Sequence, residues 1–162
     1  MNIIKEHKNF LPEKIFKELK HLIFDENFPW RIRGEMTDSD RNLYFTHYFY
    51  DNYTVTCDKF KDYIVPILRN LGCKAVVQVR ANLFLNDTFK KSGWHLDYNF
   101  NCNTAILYLN SCNGGTELKV KNKIKFIKAE ENKLLIFNSN TWHRVCTSTN
   151  ASRRYIINFN YF

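Results

Sequence analysis

His95-Leu96-Asp97, answered by His143 much later in the chain, holds the residue types most able to do chemistry here. In extended backbone, residues i and i+2 point to one side, so His95 and Asp97 project together while Leu96 turns to the other layer. Two neutral imidazoles and one carboxylate make a facial ligand set that leaves half of a six-coordinate sphere open. That donor mixture suits Fe(II) or Mn(II), whereas a thiolate would favour zinc or copper(I). The third ligand has to come from a strand far away in sequence, and His143, after a short run and a turn, is placed to supply it. An isolated His-x-Asp is a weak sign, because a strand histidine more often completes packing. His7 and His21, assigned to the helical N-terminal part, and His47, set among Tyr44, Phe45, Tyr48 and Phe49, are therefore read as structural.

Such ligands need elements to hold them. Leu11-Pro12 opens a helix with proline in its first turn. Ile15, Phe16, Leu19, Leu22 and Ile23 recur at three- and four-residue spacing, with lysines and Glu18 outward, until Asp25 to Pro29 ends it. A second helical pattern runs from Asp58, as N-cap, to Gly72, with Pro66 predicting a kink or break inside it. Trp30 to Glu35 and Leu43 to Tyr50 read as strands. After Gly72 come short β-branched and aromatic runs: 75–85, 104–110, 116–120, 123–128, 133–137, 142–147 and 154–162. Asn86-Asp87, Ser92-Gly93, Asn113-Gly114-Gly115, Asn138-Ser139-Asn140 and Asn150-Ala151-Ser152 separate them as turns. The expectation is a mainly β (α+β) chain, a sandwich or barrel supported by N-terminal helices. No linker or repeat divides the 162 residues, so one domain is expected, with support in 1–73 and a β core in 74–162.

Composition bounds the rest. Fourteen Phe, nine Tyr and three Trp argue for a packed core. Lys plus Arg is 24 against 16 Asp plus Glu, a net +8 that favours acidic partners, nucleic acid included. The lysines are scattered, so the charge is permissive only. Five cysteines without a C-x-x-C pair fit free thiols in a reducing compartment. With no signal peptide and no long apolar run, a soluble, cytoplasmic protein without a membrane association is expected. A composition heavy in lysine, asparagine and isoleucine is that of an AT-rich genome, such as a phage's.

Four segments together resemble the 2-oxoglutarate- and Fe(II)-dependent oxygenases, in particular their small prolyl-hydroxylase-like branch. His95-Leu96-Asp97 is similar to the family's H-x-D. The run 105–110 (AILYLN) with Gly114-Gly115-Thr116-Glu117 resembles its strand ending in Tyr-Leu-Asn and the Gly-Gly turn. Residues 132–137 with Trp142-His143-Arg144-Val145 resemble the approach to the distal histidine. Arg154 to Phe159 resembles the strand whose first arginine binds 2-oxoglutarate. The resemblance implies a double-stranded β-helix (jelly-roll) barrel over about 74–162, buttressed by the two helices.

It also implies His95, Asp97 and His143 as catalytic iron ligands, 2-oxoglutarate as cosubstrate and O2 as oxidant. Arg154 would grip the distal carboxylate of 2-oxoglutarate in two-pronged fashion, and Tyr108 would donate a second hydrogen bond to it. Arg153 competes with Arg154. Period-2 alternation favours Arg154 inside with Ile156, Asn158 and Asn160, leaving Tyr155, Ile157, Phe159 and Tyr161 under the helices. The same parity puts Arg80, Asn82 and Phe84 on one face. Asn82 is then either a polar contact for cosubstrate or substrate, or a bond closing a strand irregularity. Trp142 is expected to pack behind His143.

The reaction so implied is hydroxylation of a C–H with release of succinate and carbon dioxide. A peptidyl substrate, prolyl among the candidates, follows from family likeness alone. Oxidation or demethylation of a nucleic-acid base is the alternative that the charge favours. A non-catalytic, metal-holding barrel that binds a ligand or partner is the third. The loop 86–93 (NDTFKKSG), with Phe89, Lys90 and Lys91, is either a cover for substrate or a solvated turn.

Overall fold

A computed structural model describes residues 4–33, 44–85 and 90–162. Over these residues the fold is mainly β with two α-helices. Helix α1 (Glu13–Phe24) buries Phe16, Leu19 and Ile23 on one stripe. Its entry is pinned by Asn132, whose side-chain oxygen accepts from the Leu11 N–H at 3.0 Å and whose amide donates to the Leu11 carbonyl at 2.8 Å. In the second helical stretch Phe60–Ile64 is a π-helical turn, and α2 (Val65–Asn70) follows with Pro66 in its first turn. The break foreseen at Pro66 is this change of winding, placed where proline's missing N–H costs nothing. Asp58 does not cap; it pairs with Lys59 at 3.2 Å.

Eleven strands are described: β1 (Lys5–His7), β2 (Arg31–Arg33), β3 (Tyr44–Asp51), β4 (Thr54–Val55), β5 (Val76–Leu85), β6 (Asn103–Tyr108), β7 (Gly115–Val120), β8 (Lys123–Lys128), β9 (Lys133–Asn138), β10 (His143–Cys146) and β11 (Arg153–Tyr161). The large sheet runs β1-β9-β6-β11-β5-β3-β2, with β4 beside β3. The small sheet is β10-β7-β8. This keeps the sandwich reading and corrects only the barrel: among the described residues the strands form two sheets rather than one ring, because β7, β8 and β10 bond to one another and not to the large sheet. It also corrects His7, which lies in β1 opposite Leu134 rather than in a helix. The expected strand 30–35 and the turn Asn86-Asp87 lie partly or wholly outside the described residues, as does Phe89 of the 86–93 loop.

Each face of the large sheet has its own apolar core. On one, Phe16, Leu19 and Ile23 of α1 and Ile67 and Leu68 of α2 meet Val79, Ala81, Leu107, Ile157 and Phe159. On the other, Phe84, Ile106, Tyr108, Leu135, Phe137 and Ile156 meet Leu118, Ile127 and Val145 of the small sheet or its flanks. Strand alternation explains the division, since β11 sends Tyr155, Ile157, Phe159 and Tyr161 to the helix side. The even-numbered residues of β11 face the small sheet, and with them comes the polar chemistry.

Candidate metal centre

Between the two sheets His95, Asp97 and His143 bring one donor atom each to within 4.8 Å of one another. The segment carrying His95 and Asp97 is extended but joins β10 only through isolated bridges, Lys91 to Cys146 and His95 to His143. At the second bridge the two histidines exchange both backbone hydrogen bonds, each 3.0 Å. Directly opposed, their rings lie 4.3 Å apart between centroids. The Asp97 N–H donates to the Ser139 carbonyl at 3.1 Å, tying the third side chain to the same turn.

Each imidazole is oriented from behind. His95 Nδ1 lies 3.3 Å from the Gly93 carbonyl and His143 Nδ1 lies 2.9 Å from that of Thr141. Nδ1 as donor leaves Nε2 of each ring as the free lone pair, the tautomer a metal requires. Asp97 is held in the same way. Its Oδ2 accepts from Thr104 at 2.9 Å, Asn160 at 2.9 Å and, more loosely, Asn158 at 3.4 Å. Its Oδ1 is left facing His143 Nε2 at 3.6 Å and Arg80 Nη2 at 4.0 Å.

Burial, followed by the charge of His143, presses the His95 pKa down to about 4, so the ring is neutral at neutral pH. Burial opposes ionisation of Asp97, but His143, Arg80 and Asn160 outweigh it and hold the carboxyl well below the ordinary range. At neutral pH the centre therefore presents a neutral His95 and an ionised Asp97. Among the described residues no second group of His, Cys, Asp and Glu converges closely enough to hold a metal.

Arg154 is fully buried on the same cavity wall, while Arg153 is exposed. Nε, Nη1 and Nη2 of Arg154 all lack a hydrogen-bond partner, and the guanidinium lies 4.7 Å over the Phe84 ring. Burial lowers its pKa, yet a guanidinium keeps its proton in proteins. A buried cation with three unmet donors is costly unless an anion joins it. Asn82 also lines the cavity, and its Oδ1 accepts from Thr46 at 3.0 Å, directly opposite it in regular register; the irregularity between β3 and β5 lies at Tyr48 and Tyr50 instead. The Tyr108 hydroxyl is donated to Thr116 at 2.8 Å; Thr116 faces the cavity, and Tyr108 stands behind it. Burial raises the Tyr108 pKa to about 12, which keeps it a donor. Trp142 does not pack behind His143: it is 48% exposed, with Lys119 Nζ 5.7 Å over its ring.

Thr104 and the carbonyls of Gly93 and Thr141 went unnoticed in the sequence, and Asn158 and Asn160 were placed without a task. Thr104 was within reach of the parity argument, since 104, 106 and 108 share a face of β6. The cavity itself is tight, about 20 Å³. Wider grooves exist, such as one of about 370 Å³ between α1 and the 57–63 stretch, but they gather no comparable donors.

The sequence profile described as the 2OG-Fe(II) oxygenase superfamily matches residues 82–162, half of the chain. No curated protein matches. Among solved structures, an oxidoreductase of the 2OG-Fe(II) oxygenase family from Burkholderia pseudomallei is similar at a TM-score of 0.77 and 12% identity, covering 99% of this chain and 84% of that one. A prolyl hydroxylase from Trichoplax adhaerens, solved with a peptide fragment of hypoxia inducible factor, gives 0.70 and 16%, covering 98% and 83%. The α-ketoglutarate-dependent epimerase SnoN of nogalamycin biosynthesis gives 0.72 and 11%, covering 99% and 78%. At such identities these likenesses speak to the fold, and they span different substrates.

Proposed function

The chain belongs to the 2OG-Fe(II) oxygenase superfamily and is a 2-oxoglutarate-dependent dioxygenase using Fe(II), 2-oxoglutarate and O2, and we propose that it hydroxylates a C–H of a peptidyl substrate. In this reading His95 Nε2, His143 Nε2 and Asp97 Oδ1 hold the iron, and Arg154 receives the distal carboxylate of 2-oxoglutarate. One observation carries it: the unpaired, buried guanidinium of Arg154 shares a cavity with a complete facial ligand set. A module that only held a metal would have no use for that cation. We further read 1–162 as one domain in which 74–162 carries the site, with β2 and β3 of the first part extending its floor.

Bound iron with its cosubstrate and O2 supplies the oxidising power, and succinate and carbon dioxide leave. The chain's own residues do the rest. Gly93 and Thr141 keep each Nδ1–H occupied, so both Nε2 lone pairs stay available. Thr104 and Asn160 occupy Asp97 Oδ2, which fixes Oδ1 as the coordinating atom. Arg154 binds a dicarboxylate through two parallel N–H···O contacts that a lysine could not make. Phe84, Ile106, Val145 and Ile156 line the same space and exclude water. Because the cavity is tight, side chains along it shift to admit a five-carbon diacid.

Anaerobic titration should show equimolar Fe(II) binding that His143→Ala abolishes, and once O2 is admitted the same variant should release no succinate from 2-oxoglutarate. Arg154→Ala should keep the iron but raise the 2-oxoglutarate requirement by roughly 30-fold or more, the loss expected when one partner of a buried charge pair is removed. Consumption of 2-oxoglutarate at the wild-type rate by His143→Ala would overturn the assignment. Peptide and oligonucleotide pools, scored for a mass gain of one oxygen, test the substrate class.

A further inference from the structure

Resting on that reading, we infer that the substrate carries an oxyanion, a carboxylate or phosphate, which docks on Arg80 and Arg33 beside the metal centre. The floor of the cavity is the inner face of the large sheet, and its rows of paired residues continue past the small sheet. In one row Arg33 of β2 opposes Tyr44 of β3, which opposes Phe84 of β5, which opposes Arg154 of β11. In the next but one, Tyr48 opposes Arg80, which opposes Asn158. Directly opposed residues point to the same side. Arg33, Tyr44, Tyr48 and Arg80 therefore share the face that carries Arg154 and Asn158.

Arg80 lines the metal cavity, and its buried Nε has no hydrogen-bond partner. Among the described residues the anion nearest to it is Asp97, at 4.0 Å from Nη2, well outside the 2.7–2.9 Å of a charge-assisted bond. Iron bound at Asp97 Oδ1 would claim that carboxylate. The charges of iron, Asp97, 2-oxoglutarate and Arg154 then sum to zero, leaving Arg80 without a counter-ion among the described residues. Arg33 is exposed and directly opposes Tyr44, whose hydroxyl favours its charged form. Two guanidiniums flanked by phenols, one at the metal and one towards solvent, form a basic track along which the oxygens of a carboxylate or phosphate can be held. The anion would anchor the substrate and hold its reacting C–H over the open side of the metal.

The probe is inorganic phosphate, with acetate as the carboxylate arm. Protein is loaded with Mn(II) and saturated with 2-oxoglutarate, so that Arg154 is occupied, and paramagnetic relaxation of phosphate ³¹P and acetate ¹³C is recorded. Mn(II) and 2-oxoglutarate affinities are measured for each variant beforehand. Failure of either affinity in the wild type refutes the metal and cosubstrate assignment, a result distinct from failure here. Expected is saturable relaxation in the wild type, with Arg80→Gln and Arg33→Gln each weakening the anion about tenfold, the loss of a charged hydrogen bond. Whichever arm relaxes more names the oxyanion. No saturable relaxation in metal-loaded protein, or relaxation unchanged in Arg33→Gln, overturns the proposal. Arg33→Gln is the decisive variant, since Arg33 is exposed and away from the ligands.

Discussion

The two oxygens of Asp97 are given different tasks by the residues around them, and that asymmetry can be measured. Oδ2 is saturated by Thr104 and Asn160, which also bond each other at 2.9 Å, while Oδ1 is kept for the metal. Asn160→Ala or Thr104→Val should therefore lower Fe(II) or Mn(II) affinity about 10–100-fold, as loss of an outer-shell partner does. Dialysis against labelled metal would show it, and unchanged affinity in both variants would remove the positioning role. His95 gives a second test through pH. Its folded pKa, about 4, lies below its ordinary 6.5, so the fold prefers the neutral ring. The stability this contributes is fully present above 6.5 and is lost as pH falls towards 4. Chelator-treated protein should lose about 2–3 kcal/mol between pH 7 and 4.5 from this group. Urea midpoints of His95→Gln over the same range should be flatter, and parallel slopes would refute the cause; Asp97 titrates lower and does not blur the window.

At the scale of elements, hydrophobic periodicity made much of the fold readable, and backbone pairing withheld the rest. The stripe of Phe16, Leu19 and Ile23 announced α1, and alternation along β11 separated Arg154 and Asn158 from Tyr155 and Ile157. What alternation cannot reveal is which strands pair. β1 is a three-residue edge strand of fully exposed pattern, with no apolar rhythm to betray it, and it is held to β9 by backbone pairing and a loose Glu6–Lys133 ion pair of 3.9 Å. The choice between sandwich and barrel stays open in the sequence for the same reason, since a run such as 123–128 looks alike in a barrel and in a three-stranded sheet. The metal ligands were legible because their types are rare and their spacing is local, whereas Gly93 and Thr141 act through carbonyls, which every residue has. The Gly-Gly turn has a sharper explanation than turn preference. A Cβ on Gly115 would collide with the Ile127 carbonyl, and one on Gly114 would stand 2.7 Å from that of Cys146. Gly115→Ala must push β8 from β7, and since β10 is registered on β7 through Leu118 and His143, the disturbance reaches a ligand. Loss of roughly 1–3 kcal/mol in urea unfolding is expected from such overpacking, together with weaker metal binding; a fully stable, fully metal-binding Gly115→Ala would show that the close approach is dispensable.

Across the whole molecule, one sheet separates stability from chemistry. The helix-side core and the inter-sheet core touch the same strands from opposite faces, so Ile157 packs under the helices while its neighbours Ile156 and Asn158 face the cavity. Phe24 of α1 stacks on Tyr155 at 4.0 Å, immediately behind Arg154, which is the shortest route by which the helix face could influence the site. A strand, however, transmits little through its own thickness when its hydrogen bonds to β5 and β6 on either side fix its position. Leu19→Ala, at a position 1% exposed, should thus cost about 2–5 kcal/mol of unfolding free energy. In the same variant, metal and 2-oxoglutarate affinities measured well below the unfolding midpoint should stay within about twofold, since sites without shared partners add independently. Ile156→Ala, on the other face of β11, should do the reverse in proportion: a similar stability loss accompanied by weakened cosubstrate binding. If Leu19→Ala weakened 2-oxoglutarate as much as Ile156→Ala did, the sheet would be a flexible coupler rather than a partition, and the helices would belong to the active site's machinery.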